Sequence, residues 1–232
     1  MLKKIWNADK IVNQLNQHKS EIIKILLAKN WRHFKYYFSI RDKFLSGNLD
    51  KQFRKDFCNF YIMNGARGLN NLQKDEFFEL LSSGELVLDK ILKVLHATPG
   101  FSNSHKLFLS FATKLLHTRD KTFPIYDGNI AFVLELPKQL HLPSLEEKVK
   151  NRIDIYNDLK NKFSKLLASV KVNSYLKDIR SELHNKASFD QFEWRDDLIS
   201  DTKLLDSLLW ALYSVLKKMK DATRILHGGY KC

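Results

Sequence analysis

Apolar residues recur at spacings of three and four along almost the whole of this chain, and only eight glycines and four prolines interrupt them. Glycine and proline are the strongest breakers of regular structure, so their scarcity at this spacing predicts a mostly helical, all-α protein. At 232 residues the chain can bury a substantial core, as one large domain or two small ones. The spacing predicts helices over 9–28, 31–45, 53–63, 73–81, 85–96, 144–170, 172–186 and 202–219, with a frayed tail from Asp221. The second of these interleaves Trp31, Phe34, Tyr37, Phe38 and Phe44 with Arg32, Lys35, Arg41 and Lys43. Such alternation suits nucleic-acid stacking, but at helical spacing core packing with a solvated basic back is the simpler account. The last helix, with Trp210, is expected to be core.

Lysine and arginine number 39 against 26 acids, a formal net charge of +13. A balance this basic suits a polyanion, because each phosphate neutralised by Lys or Arg releases a counterion. Only Cys58 and Cys232 could pair, which argues against a disulfide scaffold, structural zinc or an iron–sulfur cluster. No metal or other cofactor is expected. No apolar run approaches the ~20 residues that span a bilayer, and the first ten residues lack the apolar segment of a secretory signal. These features predict a cytoplasmic protein with no membrane partner.

One stretch concentrates the chemistry: Phe123-Pro124-Ile125-Tyr126-Asp127-Gly128-Asn129. Pro124 biases Phe123 to an extended conformation, so a helix before it has ended by then. The apolar run 130–136 then reads as a new helix with Asp127 as its N-cap. The helix dipole favours negative charge at that end. A carboxylate held rigidly there is suited to stabilising a developing positive charge, although a plain cap would use the same residue.

The run Leu109-Ser110-Phe111-Ala112-Thr113-Lys114-Leu115-Leu116-His117, a short polar link and then Pro124-Ile125-Tyr126-Asp127 resembles the second half of the helix-hairpin-helix DNA glycosylase superfamily. The likeness is strongest over 107–136 and looser over 56–106. It implies two helical lobes with a DNA-binding cleft between them, residues 53–136 carrying the catalytic core and 1–52 plus 137–232 completing the lobes. It implies Asp127 as the catalytic acid. The glycine- and asparagine-rich link with Asn64, Arg67 and Asn70 falls where the family fills the gap left by an extruded base. Tyr126 and His117 are further candidates for the base pocket; the alternative for Tyr126 is core packing, and for His117 a histidine near a helix end, where the dipole favours it. Residues 97–104 occupy the place of the phosphate-gripping hairpin but offer only Gly100, leaving Ser102, Asn103 and Ser104 as substitute donors. Lys106, Lys114, Arg119 and Lys121 are expected at DNA phosphates. On the family's spacing neither Lys106 nor Lys114 falls where the strand-cleaving lysine of bifunctional members stands.

The resemblance therefore implies a monomeric, monofunctional glycosylase on double-stranded DNA, similar to prokaryotic antiviral enzymes acting on phage DNA that carries glucosylated hydroxymethylcytosine. Two other readings stay open. One is a helical DNA-binding protein without catalysis. The other is a helical defence ribonuclease, for which Arg180 and His184 are the nearest match, at a spacing one residue too short.

Overall fold

The computed structural model describes residues 6–65 and 68–228, and every regular element among them is helical. The predicted helix 9–28 is two helices, α1 (Ala8–Gln17) and α2 (Lys19–Leu26), because His18 leaves helical geometry at φ −110° and ψ 21°. A sharper corner follows at the start of α3 (Ala28–Leu45), where Lys29, Asn30 and Trp31 all take positive φ. Left-handed backbone costs about 1–2 kcal/mol per non-glycine residue. The indole of Trp31 offsets it: the ring is buried, stacks on Phe192 at 4.7 Å and donates to Asp190 Oδ2 at 2.7 Å. Phe34, Tyr37 and Phe38 are buried on the same helix, as the core reading expected. Of the basic residues expected on a solvated back, Arg32 and Lys35 face solvent, Lys43 is half-buried, and Arg41 is buried, donating to the Thr118 carbonyl.

Next come α4 (Lys51–Phe60), α5 (Asn71–Ser83) and α6 (Leu88–Ala97). The link between α4 and α5 is tight: Gly68 lies so close to the Met63 carbonyl that a Cβ there would sit 2.1 Å from its oxygen. Asn70 and Gln73 cap α5 reciprocally, satisfying two backbone donors. Their amides also reach forward, Asn70 Nδ2 to the Pro99 carbonyl and Gln73 Nε2 to that of Thr98. A single 3-10 turn, Phe101–Asn103, leads towards α7 (Leu109–Arg119) and the short α8 (Gly128–Val133).

The long pair α9 (Leu145–Leu167) and α10 (Val170–Phe189) precedes α11 (Asp201–Gly228). The last helix continues to Gly228, beyond the predicted end at Met219. It packs against α8 and α2 and is buried all round from Thr202 to Leu209. A helix buried on every side runs through the middle of a fold, and this stretch takes a charged pair, Lys203 and Asp206, inside with it. The buried apolar side chains form one connected cluster. No helix among the described residues is long and apolar enough to cross a membrane.

Candidate active site

The chain between α7 and α8 is held at three successive points. The Phe123 carbonyl accepts from His117 Nδ1 at 2.7 Å, the Pro124 carbonyl from the Tyr156 hydroxyl at 3.3 Å, and the Tyr126 N–H donates to Thr113 Oγ1 at 3.0 Å. Pro124, Ile125 and Tyr126 are buried as a result, and the chain delivers Asp127 in an extended conformation to the start of α8. Asp127 Oδ1 accepts from the Asn129 N–H at 2.7 Å, as the N-cap reading predicted. The residue stays half-buried and lines a cavity of about 110 Å³.

Three distant parts of the sequence wall that cavity. Phe60, Tyr61 and Ile62 come from the end of α4, His33 from α3, and Lys203, Asp206 and Trp210 from α11. Lys114 of α7 completes it beside Ile125 and Ile130. The arrangement is an aromatic slot with two carboxyl groups and two amines. Trp210 lies nearly parallel to His33 at 5.9 Å and is half-buried: it packs against the core, as expected, and also lines the cavity. His33 is fixed by a 2.9 Å contact with Ser207, and burial together with the Lys203 charge lowers its pKa to about 3, so the ring is neutral.

Buried charge dominates the floor. Lys203 and Asp206 are both under one-tenth exposed and pair at 2.6 Å, and the Lys203 ammonium also sits over the rings of Tyr37 and Phe60. Burial raises the Asp206 pKa, with Lys203 opposing. Lys114 is pushed down to about 8, burial outweighing the attraction of Asp127 and Asp206. Its ammonium bonds Ser110 Oγ at 3.0 Å and the Tyr61 carbonyl at 3.3 Å.

Several expected site residues lie elsewhere. Lys114 was expected on a DNA phosphate; it is turned inwards and cannot present its charge at the surface. His117 is fully buried between the Tyr37 hydroxyl and the Phe123 carbonyl, so it positions the chain before Asp127 and does not touch a base. Tyr126 packs inwards, its hydroxyl accepting from Gln139. Asn64 is tied to Lys74 and Asn59, and Asn70 to α5 and Pro99. Arg67 lies outside the described residues. Ile62 stands at the cavity mouth instead, 77% exposed and with φ 52°.

Ser102 and Asn103 are exposed, both at positive φ, in a turn closed by the Gly100 N–H to the Ser104 carbonyl at 2.8 Å; Ser104 is half-buried. Lys106 is exposed. Arg119 reaches the Leu81 carbonyl and the Phe44 ring, and Lys121 the Asp197 carbonyl. The ribonuclease pairing is not formed: Arg180 is engaged by Asp196, Asp201 and the Ile199 carbonyl, while His184 faces solvent. No group of His, Cys, Asp and Glu among the described residues is placed to hold a metal ion.

The sequence did not point to His33, Phe60, Tyr61, Lys203, Asp206 or Trp210 as site residues. On α11 a signal was present: Lys203, Asp206, Ser207 and Trp210 follow the i, i+3, i+4, i+7 spacing of one helix face in an otherwise leucine-rich segment. No protein-family model matches the chain, and no curated protein or solved structure matches it. Any functional reading therefore rests on the chemistry of this cavity.

Proposed function

We propose that the protein is a monofunctional DNA glycosylase of helix-hairpin-helix type. It extrudes a modified base from double-stranded DNA, hydrolyses the N-glycosidic bond and leaves an abasic site. The observation that carries this reading is the Asp127 carboxylate, capped to a fixed position and open to an aromatic-walled cavity. As the glycosidic bond breaks, its electron pair leaves with the base and the sugar becomes cation-like. A preorganised carboxylate stabilises that charge and orients the attacking water. Phe60, Tyr61 and Trp210 offer aromatic faces against which a flat heterocycle can stack.

Lys114 is the obvious rival for the chemistry, as an amine that attacks the sugar. With a pKa near 8, only about one molecule in ten has it neutral at pH 7, both its hydrogen bonds go to acceptors, and its ammonium lies over the Phe111 and Tyr61 rings. We assign it the part of a counter-charge to Asp127, which keeps the enzyme monofunctional.

A second cavity shares His33, Phe60, Ile62 and Trp210 with the first and continues past Tyr36 to Lys29 and Arg32. It gives room and polar groups for a substituent larger than an unmodified base carries, which favours a glucosylated hydroxymethylcytosine in phage DNA as the substrate. The test uses duplexes with that base and matched unmodified ones. After incubation and hot alkali, the modified strand breaks at the base and the unmodified one stays intact, and borohydride traps no protein–DNA adduct. Equal breakage of both duplexes overturns the substrate, an adduct overturns the monofunctional mechanism, and no breakage of either overturns the enzyme.

Ile62 gives a separate expectation. A β-branched residue at positive φ is strained by roughly 1–3 kcal/mol, and here the strain holds an apolar side chain out at the rim. Apolar wedges of this kind enter a base step and unstack it. Ile62→Ala therefore lowers base release at least tenfold from paired DNA and much less from a base opposite an abasic site, where extrusion is already easy. Equal losses on the two substrates remove Ile62 from the extrusion step.

A further inference from the structure

Asp206 is the one acid of the cavity without an evident use in the chemistry just described. Its side chain is almost wholly buried, Oδ2 takes the Lys203 ammonium at 2.6 Å, and Oδ1 has no hydrogen-bond partner within the protein. A buried carboxylate oxygen left unpaired is costly, and such atoms are rare enough to require an explanation. This one belongs to a residue lining the same cavity as Asp127. The neighbours available to it do not help: His33 is committed to Ser207, and Lys114 to Ser110 and the Tyr61 carbonyl.

Resting on the glycosylase reading, we propose that Asp206 selects the base: its unpartnered Oδ1, which has almost no accessible surface in this structure, accepts a hydrogen bond from an exocyclic amino group on the extruded heterocycle once the carboxyl turns towards the cavity that the residue lines. The site is thus built for amino-bearing bases and against those that carry only a carbonyl or hydrogen at that position. The Lys203 ammonium, which holds the same carboxylate through one N–H, donates another to the ring nitrogen next to the amino group. Together the two residues read a donor beside an acceptor. An imide edge, as in thymine, fits less well, because its single N–H is flanked by two carbonyl oxygens and one of them would face the anionic carboxylate.

Substitution of Asp206 by asparagine inverts the reading and leaves the shape unchanged. An ammonium can only donate, so the new amide turns its oxygen to Lys203 and its NH₂ to the cavity. The acceptor becomes a donor.

Affinity is measured on protein carrying Asp127→Asn, so that no chemistry intervenes. The probes are duplexes that place one test base opposite an abasic site: adenine against unsubstituted purine, cytosine against 2-pyrimidinone, and thymine. Adenine and cytosine bind at least tenfold more tightly than their amino-less partners and than thymine. With Asp206→Asn added, that preference disappears or reverses. A double replacement, Lys203→Met with Asp206→Leu, removes the buried pair by apolar residues of similar size, a change folds commonly tolerate, and it too abolishes the preference. Thermal melting identifies which of the variants is folded, and either suffices. The assignment is overturned by equal binding within each pair, by a preference for thymine, or by a preference that survives in a folded variant. Failure of the glycosylase reading is distinguishable: base release is then absent from every duplex for protein with Asp127 intact, while the amino preference in binding persists.

Discussion

Asp127→Asn lowers the single-turnover rate of base release on the order of 10³-fold or more, and affinity for the same DNA stays level or rises slightly. The substitution is nearly isosteric, and asparagine caps helices as well as aspartate does. The contact from the Asn129 N–H, the start of α8 and the extended chain before it all survive. What disappears, on the glycosylase mechanism proposed above, is the negative charge beneath the sugar. An amide cannot balance a cation-like deoxyribose, so the barrier rises while the ground-state complex is undisturbed. Binding does not suffer, because removing an anion from a surface that approaches phosphates reduces repulsion. The counter-charge adds a second readout. Attraction by Asp127 is one of the effects holding the Lys114 pKa up against burial. In the variant that attraction is gone and the Lys114 pKa falls below about 8, which NMR of the lysine side chain detects. A variant that binds DNA normally and retains even a tenth of the rate removes Asp127 from the chemistry.

The part of this site legible in the sequence is the part that is local. A proline, a capping acid and an apolar run lie within a few residues of each other, and the physics of helix starts decides their geometry without help from the rest of the chain. The walls of the cavity are different. His33, Phe60, Tyr61 and Trp210 come together only because α3, α4 and α11 cross where they do, and an aromatic at helical spacing looks the same whether it faces a core or a slot. The left-handed corner at Lys29, Asn30 and Trp31 was equally hidden. It contains no glycine, and only the burial of Trp31 against Phe192 and Asp190, far along the chain, holds it. The expected role of Lys114 failed for a related reason: a lysine is usually solvated, and a buried partner set such as Ser110, Tyr61 and Asp127 becomes visible only in the folded arrangement.

The histidine that steadies Asp127 also makes the fold acid-labile. His117 is completely buried and already satisfied as a neutral ring, with Nδ1 on the Phe123 carbonyl and Nε2 on the Tyr37 hydroxyl. Burial first, then the Lys203 charge, lower its pKa from 6.5 to about 3, with Arg41 adding to the same effect and the Phe123 carbonyl opposing it. Between those two values the unfolded chain takes up a proton that the folded one refuses. Stability from His117 is therefore whole above about pH 6.5 and is lost as the pH falls towards 3, at about 1.4 kcal/mol per pH unit. The sum is on the order of 5 kcal/mol, a large share of the 5–15 kcal/mol that stabilises an ordinary domain. His33 works in the same direction, though its ring borders the cavity and is less completely enclosed. Asp206 works against both, since its raised pKa lets the fold bind a proton more readily than the unfolded chain does. Urea unfolding between pH 7.5 and 4 separates these contributions. In His117→Gln the amide can replace one or both contacts without a titration, so the dependence on pH flattens by close to one proton between pH 6 and 4, even where the variant is less stable at neutral pH. An unchanged slope means that His117 takes up a proton within the fold; Nδ1–H still donates to the Phe123 carbonyl, and Nε2 must then donate to the Tyr37 hydroxyl oxygen instead of accepting from it.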